Sequence, residues 1–356
     1  MTASHGRATS AGGSRPKAAP LHPRQLTGYL SHARDLPELL ALHRDHGDQF
    51  NYFQISAFWS NFKKLPRGQL RGLSDRLAPV CEQTVLMLPE LNARALANLA
   101  HAFAKAGLVG TGPWESVWTA LPEAIRRSIR RFDPQQFSHT AWAFAKAGHL
   151  STELFKAISA EVVRRGLGDV NAQALSNTAW AFGGWNPPSA DMLFGTTSFT
   201  ARCAQLEKSF ARLDYSQLHQ WSLWREERGT QWPRLPESLR QTCHNAFVEE
   251  EGQPSQLQSE VVQEIRSTGD IADVEEEYRC KVSGYSIDAL VTLKHGERIA
   301  VEVDGPSHFV GRSHQPTGAT LLKHRQLRFF EWRLESVKYW EWEHSKELPW
   351  LPWRSR

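Results

Sequence analysis

A repeated segment in the middle of the chain constrains the fold more than any other feature. Three stretches align without gaps: "LANLAHAFAKAG" at 96–107, "FSHTAWAFAKAG" at 137–148 and "LSNTAWAFGGWN" at 175–186. Their phenylalanines Phe103, Phe144 and Phe182 are 41 and 38 residues apart. Weaker copies occur at 55–66 and 217–228. Recurrence at this spacing predicts a stack of structural repeats in which each unit packs on its neighbours.

Each copy has the pattern of a helix that is followed by a second helix. In the first copy, apolar residues recur at i, i+3, i+4 and i+7 from Leu96, which is the stripe of an amphipathic helix. Gly107 stands where that helix would end. Further amphipathic segments follow at 114–131 and 151–166. We therefore expect a mainly α fold, an α-helical hairpin repeat solenoid over residues 35–230.

The first helix of each repeat also carries polar and aromatic residues opposite its apolar stripe. These candidate RNA-binding residues are Asn98, His101, Lys105, His139, Trp142, Lys146, Asn177 and Trp180. Amides, rings and a lysine at one helical phase are suited to reading and stacking successive bases. The alternative is structural, because Trp142 and Trp180 could pack against the neighbouring repeat. That packing would account for much of the high count of 14 tryptophans.

This repeat resembles the octotricopeptide repeats of algal and protist organellar proteins, which are distant relatives of tetratricopeptide and pentatricopeptide arrays. The resemblance covers roughly residues 25–230 and rests on the recurring "AWAFAKAG" signature. The repeat lengths depart from the usual period of that family. The resemblance implies a protein of organellar RNA metabolism.

The pattern changes near residue 258, after a predicted linker at 231–257 that contains an acidic run. Residues 285–293 and 298–306 read as strands, 319–333 as a long helix and 334–342 as a last short strand. Residues 258–356 therefore predict a small C-terminal α/β domain.

Three blocks of this region, "IAVEVDGPSHF", "TLLKHRQL" and "VKYWEW", resemble the RAP domain in the same order. The resemblance covers about residues 299–350. A RAP domain after helical repeats is an arrangement found in organellar gene expression, including the FAST kinase-like family. The RAP domain in turn resembles the restriction-endonuclease-like fold, closest to very-short-patch-repair nucleases.

That second resemblance gives the carboxylates of the α/β domain a possible catalytic role. In such nucleases, acids on adjacent strands hold Mg²⁺, and a lysine assists. The candidate catalytic residues are Asp288, Glu302, Asp304 and His308, of which the first three would be the metal ligands. Asp304 occupies the usual lysine position, so His308, Lys323 or Arg325 would have to substitute. If the domain only binds RNA, Lys323, Arg325 and Arg328 are the expected phosphate contacts.

The N-terminal segment 1–34 contains five arginines and lysines and no acid, with serine, alanine and glycine between them. This composition is typical of an organelle transit peptide, and a disordered tail is the alternative. We expect a mitochondrial location, with the plastid as the alternative. Four cysteines without zinc-type spacing predict neither a disulfide framework nor a structural zinc.

Together these features predict an organellar RNA-binding protein that acts in RNA processing, stability or translation. No cofactor is expected unless the protein is a nuclease, in which case Mg²⁺ is required. The predicted partners are organellar mRNA or rRNA, with ribosomal or RNA-processing proteins as further candidates, and no membrane span is expected. A Mg²⁺-dependent endoribonuclease is the first alternative. A protein–protein scaffold is the second, because helical solenoids also bind peptides.

Overall fold

The computed structural model describes residues 19–65, 74–249, 253–310, 314–346, 348 and 350. The first part is helical: α1 (Pro23–His32), α2 (Leu36–His46), α3 (Tyr52–Phe62), α4 (Ser74–Met87), α5 (Ala93–Ala106), α6 (Glu115–Ser128), α7 (Pro134–Ala147), α8 (Thr152–Arg165), α9 (Ala172–Trp185), α10 (Ala190–Phe194), α11 (Ser198–Gln205), α12 (Arg212–Glu227) and α13 (Glu237–Val248). The second part is mixed: α14 (Gln256–Ser267), β1 (Ile271–Arg279), β2 (Ser286–Leu293), β3 (Arg298–Asp304), α15 (Gly318–Phe329), β4 (Leu334–Lys338) and α16 (Tyr339–Ser345).

The helices of the first part pack in two rows. A first row runs α1, α3, α5, α7, α9 and α12, each helix contacting the next, and a second row runs α2, α4, α6, α8 and α10. The predicted repeat copies at 55–66, 96–107, 137–148, 175–186 and 217–228 overlap α3, α5, α7, α9 and α12, and the amphipathic segments 114–131 and 151–166 contain α6 and α8. The repeat phenylalanines face the space between the rows, where Phe103, Phe144 and Phe182 are fully buried.

Local signals in the sequence set the ends of the first-row helices. Asn92, Asp133 and Asn171 stand at the N-caps of α5, α7 and α9, and each side chain accepts a hydrogen bond from a backbone N–H of the first turn. Gly107 and Gly148 end α5 and α7 in the left-handed conformation, with φ of 77° and 67°. Repeated caps at repeated positions give helices of equal length, which keeps their polar faces in register.

The ordered helices extend beyond the predicted limits of the repeat array. Residues 23–32, assigned from sequence to the leader, form α1, and the Asn61 side chain donates hydrogen bonds to the carbonyls of Leu30 and Ala33 at its end. The predicted linker 231–257 contains α13, whose Leu239, Cys243 and Phe247 are buried. Residues 1–18 of the predicted transit peptide lie outside the described residues.

The second part is a four-stranded sheet of order β1-β2-β3-β4. The first three strands are antiparallel, and β4 returns parallel to β3 after the crossover through α15. Val261 and Ile265 of α14 pack on one face with Val301, while Leu327 of α15 and Leu334 belong to the core of the other. The predicted last strand at 334–342 is only half right, because α16 begins at Tyr339.

The sheet domain rests against the end of the helical rows. Leu223 of α12 and Phe247 of α13 share a buried cluster with Tyr285, Ile287 and Leu327. Helix α15 also contacts α7 and α9. Within the described part of the chain, no helix is long and apolar enough to cross a membrane.

Candidate nucleic-acid interface and carboxylate cluster

Side chains from successive first-row helices form a continuous row of rings. The ring centroids of His101 and His139 are 5.0 Å apart and stacked, and His101 lies 5.3 Å from Trp142. Trp142 lies 6.4 Å from Trp180 of the next helix, and the Lys146 ammonium sits 5.2 Å from the centre of the Trp142 ring. We call these rings of α5, α7 and α9 the ring row. The sequence predicted each member, and the fold brings them together.

Burial differs along the ring row. Trp180 is only 8% exposed, so its ring belongs mainly to the helix packing, as the structural alternative requires. Trp142, His101 and His139 are half-buried and keep part of each ring accessible. The accessible stacking surface is therefore concentrated on α5 and α7.

The two histidines of the ring row act as neutral rings. Burial lowers the pKa of His101 to about 4, and the neighbouring charges of His139, Lys63 and Lys105 act in the same direction. Burial also lowers the pKa of His139. Both imidazoles are uncharged near neutral pH, so they offer stacking faces and hydrogen bonds but no positive charge.

Lysines supply the positive charge beside these rings. Burial lowers the pKa of Lys63, and the charges of Lys105 and Lys64 lower it further, so we group Lys63, Lys64 and Lys105 as one lysine cluster. Such mutual repulsion is relieved when a polyanion binds. The predicted contact Lys105 lies in this cluster, whereas Lys63 and Lys64 were missed.

The amide positions of the repeat differ in their surroundings. The Asn177 side chain accepts a hydrogen bond of 3.2 Å from Gln217 of α12, so it links two first-row helices. Asn98 is half-buried and lines a groove between α3 and α5.

The predicted acidic residues of the sheet domain lie side by side on β2 and β3. The Asp288 carboxylate accepts a hydrogen bond of 2.7 Å from the backbone N–H of Val303. Glu302 is fully buried, and its carboxylate lies 2.5 Å from the Lys323 ammonium of α15. The sequence suggested Lys323 as a catalytic or phosphate-binding residue, whereas in the structure its ammonium pairs with a buried carboxylate.

Burial and charge shift these groups in opposite directions. Burial raises the pKa of Glu302 to about 8, although Lys323 acts against that shift. Burial also raises the pKa of Asp288. Burial alone would lower the pKa of Lys323, but the charges of Glu302, Asp288 and Asp304 raise it overall. Lys323 therefore stays protonated, while burial favours the protonated form of Glu302 below about pH 8.

Asp304 is held by a different set of partners. It lies 2.8 Å from the Nδ1 of His308 and 3.4 Å from the Nε2 of His324, and it accepts a hydrogen bond from Ser336. Burial alone would raise the pKa of Asp304, but its close contacts with the imidazoles of His308 and His324 lower it below its usual range. Asp304 is thus an ionised acid that positions two imidazoles.

A cavity of about 250 Å³ opens beside this cluster, between α12 and the start of α15. Its walls include Glu302, His308, Lys323 and His324 together with Gln220 and Tyr285. The Gln220 side chain donates to the Tyr285 hydroxyl at 3.0 Å. Gln220 gave no signal in the sequence, because its role depends on how the sheet domain docks on the helices.

Arg325 and Arg328 of α15 have different surroundings. Arg325 pairs with Glu227 and donates hydrogen bonds to the carbonyls of Gly183, at 2.6 Å, and Gly184, at 3.3 Å. Its guanidinium thus caps the end of α9 and joins the two parts of the chain. Arg328 is exposed. Of the two arginines, Arg328 is the one whose surroundings suit a phosphate contact.

The observed arrangement does not fit a magnesium ion held by Asp288, Glu302 and Asp304. The ammonium of Lys323 already lies at the Glu302 carboxylate, and Asp304 is engaged by two imidazoles. No group of three or more His, Cys, Asp or Glu side chains among the described residues could hold a metal ion. The residue set that the sequence predicted is assembled, but in a different chemical arrangement.

A comparison with known protein families matches part of the sheet domain. Residues 301–348 match the RAP domain. This match contains the end of β3 together with α15 and β4, and it includes Glu302, Asp304 and Lys323 but not Asp288. The chain is also 37% identical over 90 residues to a rice protein (Oryza sativa subsp. japonica) named "RAP domain-containing protein, chloroplastic". That alignment covers 25% of this chain and 13% of the rice protein.

Proposed function

We propose that this protein binds single-stranded RNA in an organelle and acts in post-transcriptional gene expression. The RAP domain and the rice relative support a role in organellar RNA metabolism. The outcome would be processing, stabilisation or translation of a transcript, with ribosomal or RNA-processing proteins as further partners. The proposed organelle is the mitochondrion, and the name of the rice relative keeps the plastid as the alternative.

The observation that carries this proposal is the ring row with its lysines. Half-buried rings at repeated positions offer the stacking faces on which unpaired bases bind. The Lys63, Lys64 and Lys105 cluster adds the charge that attracts the phosphate backbone. The octotricopeptide-like repeat belongs to the same proposal, because one first-row helix would meet each successive part of the RNA.

Crosslinking in isolated mitochondria and plastids tests the proposal. RNA bound to the protein is covalently fixed, purified under denaturing conditions and sequenced. We expect a small set of organellar transcripts, with crosslinked peptides from α5 and α7. Recovery of proteins without RNA would favour the scaffold alternative, and nuclear transcripts would contradict the proposed location.

The endonuclease alternative is decided with purified protein. The resemblance of the RAP domain to restriction-endonuclease-like nucleases motivates it, and Asp288, Glu302 and Lys323 do lie near one another, but their contacts do not fit a Mg²⁺ site. Mg²⁺-dependent cutting of RNA that is lost in Glu302→Gln would establish it. Binding without cutting in the same assay supports the RNA-binding proposal.

A further inference from the structure

The ring row stops at α5, although the first row of helices continues to α3. In the repeat alignment, Ala57 and Ser60 of α3 stand where α5 has Asn98 and His101. Ser60 provides no ring at the position where the following repeats have His101, Trp142 and Trp180. Lys64, just after α3, is exposed and keeps the lysine position of the repeat, equivalent to Lys105.

A groove of about 290 Å³ lies between α3 and α5 at this place. Tyr52 and Phe53 form an aromatic wall, with ring centroids 4.1 Å apart. Phe53 is 55% exposed, so much of its ring is accessible from solvent. Ser56 and Ser60 contribute hydroxyl groups to the groove.

The other side of the groove is polar and continuous with the ring row. Arg94 is exposed, and Asn98, one turn before His101, is half-buried, and both line the groove. A guanidinium at the rim suits a phosphate, and an amide on the wall suits the hydrogen-bonding edge of a base. The groove thus combines an aromatic face, hydroxyls, an amide and a cation.

We propose that this groove binds one nucleobase of a single-stranded RNA that continues along the ring row. The base stacks on the Tyr52–Phe53 wall and takes the space that a protein ring fills in the next repeats. Asn98 contacts the edge of the base, and Arg94 contacts the adjoining phosphate. This site rests on the proposed RNA-binding function and adds a position that the repeat pattern does not contain.

Binding of a fluorescent single-stranded RNA of random sequence to the full chain tests the site. Phe53→Ala removes the exposed stacking face, and we expect affinity to fall roughly tenfold, as for loss of one base–aromatic stack. Arg94→Ala removes a phosphate contact and should reduce the salt slope by about 0.7. Leu86→Ala is the matched control, because Leu86 is 76% exposed on α4 in the second row. It should leave binding unchanged.

Photocrosslinking with 4-thiouridine in the same RNA gives an independent readout. Adducts on the peptide that contains Tyr52 and Phe53 support the groove. If Phe53→Ala binds like the wild type while Trp142→Ala binds weakly, the groove assignment is wrong and the RNA-binding function stands. If the folded wild-type chain binds no RNA, both fail. Thermal unfolding of each variant confirms that the fold is retained.

Discussion

Lys323 and Glu302 form an ion pair in which one partner is fully buried. Removing one member of a buried pair leaves a charge without compensation, which is more damaging than losing an exposed pair. The sequence identified both residues, because each belongs to a recognisable motif. It did not predict the pair, because the crossover from β3 through α15 decides which helix face meets Glu302.

Lys323→Met should destabilise the fold in a pH-dependent way. Without the ammonium, Glu302 must be protonated to remain buried. Burial raises the pKa of Glu302 from 4.5 to about 8 in the folded chain. The stability that its protonated form contributes is therefore complete below the unfolded pKa and is lost as the pH rises through the folded pKa. We expect the free energy of unfolding to fall by about 3–5 kcal/mol at high pH and by less near pH 6.

Urea denaturation at about pH 6 and about pH 9 measures this difference. Lys338→Met is the control, because Lys338 pairs with Glu341 at the surface and little stability depends on that pair. Equal destabilisation by Lys323→Met at both pH values would show that Glu302 does not titrate as described.

Arg325 and Arg328 lie on the same helix, but we expect their replacement by lysine to affect stability differently. Arg325→Lys cannot reproduce the contacts to Glu227 and to the carbonyls of α9, because an ammonium lacks the planar fork. We expect the free energy of unfolding to fall by about 1.5–3 kcal/mol. Arg328→Lys should leave stability unchanged. If both variants melt like the wild type, Arg325 does not hold the two parts of the chain together.

At the scale of elements, α15 packs on the ends of α7 and α9 through glycines. A Cβ at Gly318 would lie 2.4 Å from the carbonyl oxygen of Ala145, a contact that requires the backbones to separate. Gly184 faces Gly318 in the same contact. This close approach holds the start of α15 at the helical rows and fixes one wall of the cavity beside Glu302.

Gly318→Ala should therefore lower the unfolding temperature and loosen the docking of α15. Gly28→Ala is the matched control, because Gly28 lies inside α1 with open space around its Cα. Alanine there should raise stability by roughly 0.5–1 kcal/mol. Hydrogen exchange of α15 amides, measured with the melting curves, should increase only in Gly318→Ala. Unchanged exchange in that variant would rule out the tight helix contact.

The sequence predicted an element well where its apolar residues form a clear pattern and poorly where they do not. The predicted strands at 285–293 and 298–306 match β2 and β3 closely, because apolar residues dominate both. By contrast, β1 is an edge strand rich in glutamates with no buried residue, so it shows no alternation. The helix α13 buries a narrow stripe in a polar segment, which resembled a linker.

At the scale of the whole molecule, the ring row was predictable in its members but not in its burial. Repeat spacing placed His101, Trp142 and Trp180 at one helical phase. Their depth depends on the distance between neighbouring helices, which left Trp180 inside and Trp142 partly open. The docking of the sheet domain against α12 and α13 had no signal in the sequence, because it depends on contacts between distant segments.

The central claim is that the ring row and its lysines bind single-stranded RNA, and the salt dependence of RNA affinity tests it most directly. Fluorescence anisotropy between about 50 and about 200 mM salt should show a linear fall of log affinity with log salt concentration. Trp142→Ala should lower affinity roughly tenfold without changing the slope, and Lys146→Ala should reduce the slope by about 0.7. Affinity independent of salt, or wild-type binding by both folded variants, would contradict the account.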